Sequence, residues 1–310
     1  MARVLVTGIA GQIGSFLGER LLAGGHAVLG VEGRPVTVPQ GIELRPEPLD
    51  AEGVDALLDG CGALDAIVHL AGKTSVGESW NTPMETFDAN ARTTAALAFA
   101  AHVRRITFVN ASSAEIFGNT AAPVLDESTP IAPVSPYGVA KAAGHAGVRL
   151  TREEMGARAT NLIFCNGESV RRPAHFVVRK ITRGLARVKL GRADHVTLGN
   201  TAAVRDFVHA DDLARAAETF ALGAAPGDYV CASGEGHTIA EVAATCCEVL
   251  GLDAAQVLRT DATLLRRTDI ARLVGDASKL RALGWAPTLS FPQLVRSIAE
   301  HDLAEARGET

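Results

Sequence analysis

Tyr137-Gly-Val-Ala-Lys141 sets a phenol and an amine four residues apart, so on a helix they stand one above the other on a single face. An unperturbed tyrosine, with a pKa of about 10, is a poor base at neutral pH, but a cation beside it favours the phenolate and suits it to proton transfer. Ser135-Pro136 just ahead gives that helix its start. The same spacing occurs on ordinary solvated helices, so it gains meaning only from its neighbours. Upstream lies Val109-Asn-Ala-Ser-Ser-Ala-Glu-Ile-Phe-Gly118, at the end of an apolar run that reads as a strand. Ligands of parallel sheets gather at the carboxyl ends of strands. There Ser113 offers a hydroxyl to a substrate and to Tyr137. Glu115, flanked by Ala114, Ile116 and Phe117, is either a solvated loop carboxylate or cap, or a buried group with a raised pKa suited to taking and returning a proton.

Such side chains need elements to hold them. Arg3 to Val6 is a short β-branched run of the kind covered on both faces of a sheet. From Gln12 to Ala23 the apolar residues Ile13, Phe16, Leu17, Leu21 and Leu22 recur at helical spacing. Between the two, Gly8, Gly11 and Gly14 spell G-x-x-G-x-x-G, where a dinucleotide pyrophosphate can rest on amides at a helix N-terminus and a Cβ would hold it off. A bare strand–helix turn is the plainer alternative; the strand before and the helix after favour the cofactor. Gln12 and Ile13 at the start of that helix, and Leu70 and Ala71 at the end of a later strand, are further candidate cofactor contacts. Ala27 to Val31 reads as a second strand with Glu32 at its end, placed to accept from a ribose 2'-hydroxyl and to repel a 2'-phosphate. Arg34 is placed to hold that phosphate instead. Each is otherwise a solvated charge; Glu32 favours NAD, and NADP stays open.

The alternation continues: a helix near Gly53–Leu58, a strand at Ala66–Leu70, a helix at Pro83–Ala101, a strand at Arg105–Asn110, a helix at Tyr137–Met155 and a strand at Ala159–Phe164. It predicts an α/β fold with a doubly wound parallel sheet. Beyond about residue 165 the pattern is less regular and more basic, with Arg171, Arg172, Arg179, Lys180, Arg183, Arg187 and Lys189. The expected division is a dinucleotide-binding unit at 1–165 and a smaller substrate-binding subdomain at 166–310, interleaved with the last elements of the sheet.

Composition narrows the function. At 310 residues and 47% hydrophobic the chain buries a substantial core, and a formal charge of −5 offers no polybasic footprint for nucleic acid. Its five cysteines form no C-x-x-C pair and read as reduced thiols of a cytoplasmic protein. The nine histidines lack ligand spacing, so no metal is expected, and no apolar stretch reaches membrane length.

TGIAGQIGSFL at the start, HLAGKTSVGESW (69–80), SSAEIFG (112–118) and SPYGVAK (135–141) resemble the extended short-chain dehydrogenase/reductase family of nucleotide-sugar enzymes. FCNGESVRRPAHFVVRKITRGLARVKLG (164–191), LGNTAAVRDFVHADD (198–212) and DYVCASGEGHTIAEV (228–242) are similar to segments of its GDP-mannose 4,6-dehydratases. The resemblance covers almost the whole chain. It implies a Rossmann-type sheet, a Ser113–Tyr137–Lys141 triad, and Glu115 as the dehydratase's catalytic glutamate. It implies that Asn166, Lys180, Arg205 and Arg266 hold the diphosphate of a nucleotide sugar, a setting in which Arg179 and Arg187 read as surface charges. It implies a homodimer in which the helices around 83–101 and 137–155 pair with their copies through alanine- and glycine-rich faces. The reaction implied is a redox-neutral dehydration; a 4-ketoreductase is the alternative, and a non-catalytic dinucleotide sensor is an alternative of another class. Three departures stand out: the loop after the second strand lacks an Arg-rich segment associated with NADP and a tetramer, Val170 replaces a proline, and Arg266-Arg-Thr-Asp269 replaces R-P-x-E.

Overall fold

β1 (Arg3–Thr7) leads through a glycine-rich turn into α1 (Gln12–Ala23), followed by β2 (Ala27–Val31), β3 (Ile42–Arg45), α2 (Val54–Gly60) and β4 (Ala66–His69) in the computed structural model, which describes residues 1–265 and 268–309. A short α3 (Val76–Ser79) precedes a long helical stretch made of α4 (Pro83–Phe87), one wider turn at Asp88–Arg92, and α5 (Thr93–Val103). β5 (Thr107–Ser113) runs into a tight turn at Ala114–Phe117, and α6 (Pro136–Met155) and β6 (Ala159–Phe164) follow. The remainder is more broken: β7 (Asn166–Glu168), α7 (Val177–Lys189), β8 (Val196–Leu198), β9 (Val204–His209), α8 (Ala210–Ala221) and β10 (Asp228–Cys231). Then come β11 (Gly236–Thr238), α9 (Ile239–Leu250), α10 (Ala254–Val257), β12 (Leu258–Thr260), β13 (Arg272–Leu273), α11 (Ser278–Arg281) and α12 (Phe291–Arg307).

The main sheet is parallel throughout, in the order β10-β6-β5-β4-β1-β2-β3. Because side chains alternate along a strand, Val4 and Val6 of β1 pack with Leu17 and Phe220 under α1 and α8, while Leu5 packs with Leu57, Leu97 and Val148 under α2, α5 and α6. Strand order reverses between β1 and β4, which opens a crevice at the carboxyl ends of the strands. α7, α9 and α12 close a separate apolar core with β9, around Ile181, Val242, Leu294 and Ile298. β7 crosses between the two regions by pairing with β9.

Two sequence readings shift. β3 went unread because Ile42-Glu-Leu-Arg45 is a half-covered edge strand bracketed by Pro39 and Pro46, with little of the apolar run that marks a central strand. The strand expected at Arg105–Asn110 begins later, since Arg105 turns the chain at a φ of 59°, and it runs on to Ser113, which brings that hydroxyl to the carboxyl end of the sheet.

Part of the small-residue surface of α5 and α6 is used within the chain: a Cβ at Gly144 would lie 2.5 Å from the Asn90 carbonyl, and one at Gly147 would lie 3.2 Å from the Ala95 methyl. The outer surface of this helical layer also carries large apolar side chains, with Met84, Phe99, Val103, Val139, Leu150 and Met155 exposed.

Candidate active site

The glycine turn is shaped first by the chain's own backbone. Gly8 sits at a φ of 70°, and a Cβ there would lie 2.8 Å from the Ala71 amide; one on Gly14 would overlap the Gly8 carbonyl. These glycines let β1, β4 and α1 meet closely, a demand that strand and helix impose with or without a ligand. No side chain caps the N-terminus of α1, so first-turn amides face the crevice, as a pyrophosphate requires. The residues fit a dinucleotide. Gln12 does a second job: its Nε2 donates to the Gly167 carbonyl (3.0 Å) and its Oε1 accepts from Ser169 (3.0 Å), tying the turn to β7. Ile13 packs its side chain on the main core. Leu70 and Ala71 donate through their amides to the carbonyl and hydroxyl of Thr7, each at 3.2 Å. Glu32 directly follows β2, near Gly8, whose amide donates to the Val31 carbonyl at 2.9 Å. Its carboxylate accepts from Arg34 at 3.2 Å, so the two residues read as alternatives in the sequence are an ion pair.

Ser113, Glu115 and Tyr137 converge at the carboxyl end of β5. Ser113 accepts from the Glu115 amide (3.2 Å) and shares a hydrogen bond with the Tyr137 hydroxyl. Ser135 caps α6 by accepting from Gly138 at 3.0 Å, with Pro136 in the first turn. α6 lies so near the Glu115 carbonyl that a Cβ at Gly138 would stand 2.8 Å from it. Burial pushes Tyr137 up to about 12; the Ser113 hydrogen bond opposes that, the Glu115 charge adds to it, and the Arg172 cation opposes it. Lys141 was expected to be the cation at the phenol. Its ammonium instead donates to the Ala111 carbonyl at 2.8 Å, and burial brings it down to about 8. Among the described residues, the cation that draws the Tyr137 pKa down is Arg172, which the sequence showed only as one charge in a basic run; no spacing singled it out. Beneath the site a buried His69 bridges Thr7 (2.8 Å) and Thr94 (3.1 Å), held neutral by burial and the Lys141 charge, with its pKa lowered to about 3.

The residues expected to bind a diphosphate lie on the second region. Asn166 opens β7, and Lys180 is exposed on α7. Arg205 is buried on β9, where Nη1 donates to the Val204 and Ile270 carbonyls and Nη2 pairs with Asp269 at 2.9 Å. Asp269 accepts from Asn200 as well, at 2.8 Å. Arg266 lies outside the described residues. Arg179 is not the surface charge expected: it is buried and grips both oxygens of Asp302 on α12, at 3.1 and 2.7 Å.

The model of the family described as GDP-mannose 4,6 dehydratase matches residues 5–298. The chain belongs to that family. GDP-mannose 4,6 dehydratase 2 of Arabidopsis thaliana is 35% identical over 98% of this chain and 88% of its own length. Two solved structures share the fold over nearly the whole chain. UDP-glucose 4-epimerase of Thermus thermophilus, in complex with NAD, is 30% identical with a TM-score of 0.86, covering 99% of this chain and all of its own. RMD of Pseudomonas aeruginosa, complexed with NADPH, is 26% identical with a TM-score of 0.80, covering 98% and 100%.

Outside this crevice, among the described residues His301, Asp302 and Glu305 come close enough to offer ligands to a metal. Asp302 is already taken by Arg179 and by the Thr182 hydroxyl, and a cation beside the guanidinium would be repelled.

Proposed function

We propose that the chain is a nucleotide-sugar 4,6-dehydratase acting on GDP-mannose or a related nucleoside-diphosphate hexose and giving the 4-keto-6-deoxy sugar. One observation carries the reading: Ser113 hydrogen-bonds both the Glu115 amide (3.2 Å) and the Tyr137 hydroxyl, so a carboxylate that can serve as a general base for carbon is set next to the group that handles the 4-hydroxyl. A nicotinamide dinucleotide bound on the Gly8–Gly14 turn would take the hydride from C4 and give it back at C6, so the overall dehydration is redox-neutral. Tyr137 takes the proton of the sugar 4-hydroxyl, with Ser113 orienting both. Glu115 removes the C5 proton, which a 4-ketone makes acidic, and returns one to the departing 6-hydroxyl. Asn166, Lys180 and Arg205 face the diphosphate, where charge-assisted donors are rewarded; Arg205 must then share itself with Asp269. In this division residues 1–165 carry the dinucleotide and 166–310 the sugar nucleotide. Glu32 favours NAD over NADP, with Arg34 neutralising part of its charge.

The exposed apolar side chains on α4, α5 and α6 support a homodimer built on that face, and Leu150→Glu is expected to give monomers by light scattering. The five cysteines, all free and buried, suit the cytoplasm. The deciding experiment offers GDP-mannose to the purified protein with no added cofactor and looks for a product lighter by one water. A protein that releases no water, but oxidises NADH or NADPH with a 4-keto sugar, is a reductase. One that binds dinucleotide and turns over nothing is a sensor.

A further inference from the structure

One face of α1 is covered by a segment that arrives from the other half of the chain. Gln12, Ser15, Phe16 and Glu19 stand at spacings of three and four, so they share a side of the helix, while Gly14, Leu17, Gly18 and Leu21 are buried on the other. Residues 167–171 lie along the first side. Gln12 donates to the Gly167 carbonyl and accepts from the Ser169 hydroxyl, both at 3.0 Å. Arg171 fastens the rest. Its Nη1 donates to the Ser15 hydroxyl at 3.0 Å, its Nη2 pairs with Glu19 at 2.9 Å, and the guanidinium lies over the Phe16 ring, 3.8 Å from its centre. The Arg171 amide donates to Ser169 (3.1 Å) and Ser15 donates to the Gln12 carbonyl (3.1 Å), so these fastenings are linked to one another.

The route of this segment gives the contacts their meaning. It leaves β6 at Phe164 and is fastened to the helix that follows β1, and in the sheet order β5 and β4 lie between those two strands. The chain therefore crosses the carboxyl ends of the strands, where the crevice opens between β4 and β1. Its inner end has no slack: a Cβ on Gly167 would stand 2.6 Å from the Leu213 side chain on α8, and Asn166, Gly167 and Glu168 are all paired with β9. Ser169 is buried, whereas the Arg171 and Glu19 side chains are 34% and 45% exposed. The segment can thus come undone at Arg171 while β7 stays paired.

We propose that residues 167–171 are a strap that retains the dinucleotide: clipped to α1 by Arg171, the segment bars the way out of the crevice past the first turns of that helix. The proposal rests on the reading of the Gly8–Gly14 turn as the dinucleotide's seat, and assigns its retention to named side chains. Slow release suits the proposed reaction. A dehydration that gives back the hydride it took has no need to exchange its cofactor, whereas a reductase must release it at every turnover.

Release is measured on the full-length protein with no sugar nucleotide present. Protein loaded with fluorescent NADH, or with NADPH where that is the form it holds, is chased with an excess of the oxidised form, and the decay of bound fluorescence gives the rate. Arg171→Ala removes the ion pair, the hydroxyl contact and the ring contact together, and is expected to speed release roughly 10-fold or more. Glu19→Gln removes only a half-exposed ion pair and should speed it about 2- to 5-fold. Arg20→Ala breaks the pairs that α1 makes with Glu218 and Asp211 on α8, away from the strap, and should leave the rate as it is. Release from Arg171→Ala at the native rate overturns the proposal. So does an equal acceleration in Arg20→Ala, which would mark a loosened helix. If Arg171→Ala fails to fold, Glu19→Gln decides by the same rate. A protein that holds its dinucleotide through the strap but dehydrates no sugar nucleotide refutes the proposed function and leaves the retention intact.

Discussion

Glu115 is the residue on which the assignment turns, and Glu115→Gln isolates its role. The amide keeps size and hydrogen-bonding capacity but cannot take a proton from carbon. Water elimination should fall by roughly 10²–10⁴-fold, the usual worth of a positioned acid/base. C5–H exchange with deuterated solvent should nearly stop, while binding of the sugar nucleotide survives. Mass spectrometry of the product in D2O checks both, and elimination at the native rate would remove Glu115 from the mechanism. Tyr137 calls for a different expectation. With burial holding it near 12 and Glu115 adding to that, the ligand-free phenol is protonated at neutral pH, so whatever enters the site must help to lower it.

At the scale of elements, the pairing of α5 with α6 aligns the helix that carries Tyr137. Gly144 sits where α6 meets the wider turn at Asp88–Arg92, and Asn90 there clasps the Lys73 backbone through both its amide oxygen (3.0 Å) and nitrogen (2.8 Å). Gly144→Ala should therefore push the helices apart and destabilise the fold by about 1–3 kcal/mol, as overpacking does. Chemical denaturation measures the loss; an unchanged midpoint would mean that the helices slide without strain. The same region shows what the sequence could reveal. The apolar period of Ile13, Phe16, Leu17 and Leu21 was enough to place α1, because helix and sheet each write their own period. Tyr137, Ser113 and Glu115 were legible because they sit at element ends. The influence of Arg172 on Tyr137 was not, since nothing local distinguishes its guanidinium from that of Arg171 beside it, which pairs with Glu19 at 2.9 Å. Arg179 failed for a similar reason: its partner Asp302 lies 123 residues away, and long-range pairing leaves no local trace.

For the molecule as a whole, His69 predicts how it responds to acid. Its folded-state pKa of about 3 lies below the ordinary histidine value, so the folded protein binds fewer protons than the unfolded chain between them. The resulting stability is complete above about pH 6.5 and is lost as pH falls toward the folded value, on the order of a few kcal/mol. His69→Gln retains hydrogen-bonding groups for Thr7 and Thr94 but does not titrate. Melting temperatures followed from pH 7 to pH 4 should fall less steeply in this variant than in the native protein. Parallel curves would show that other groups dominate acid unfolding.

The order of strands in the main sheet also constrains how the chain can be made. β6 ends at Phe164, yet its outer neighbour β10 is not synthesised until Asp228–Cys231. While the intervening residues leave the ribosome, β6 is an open edge of apolar Ala-Thr-Asn-Leu-Ile-Phe, a template for pairing with the wrong chain. The N-terminal unit is therefore not a part that can be finished first and stored. Its last seam is closed by the half of the protein that arrives after it.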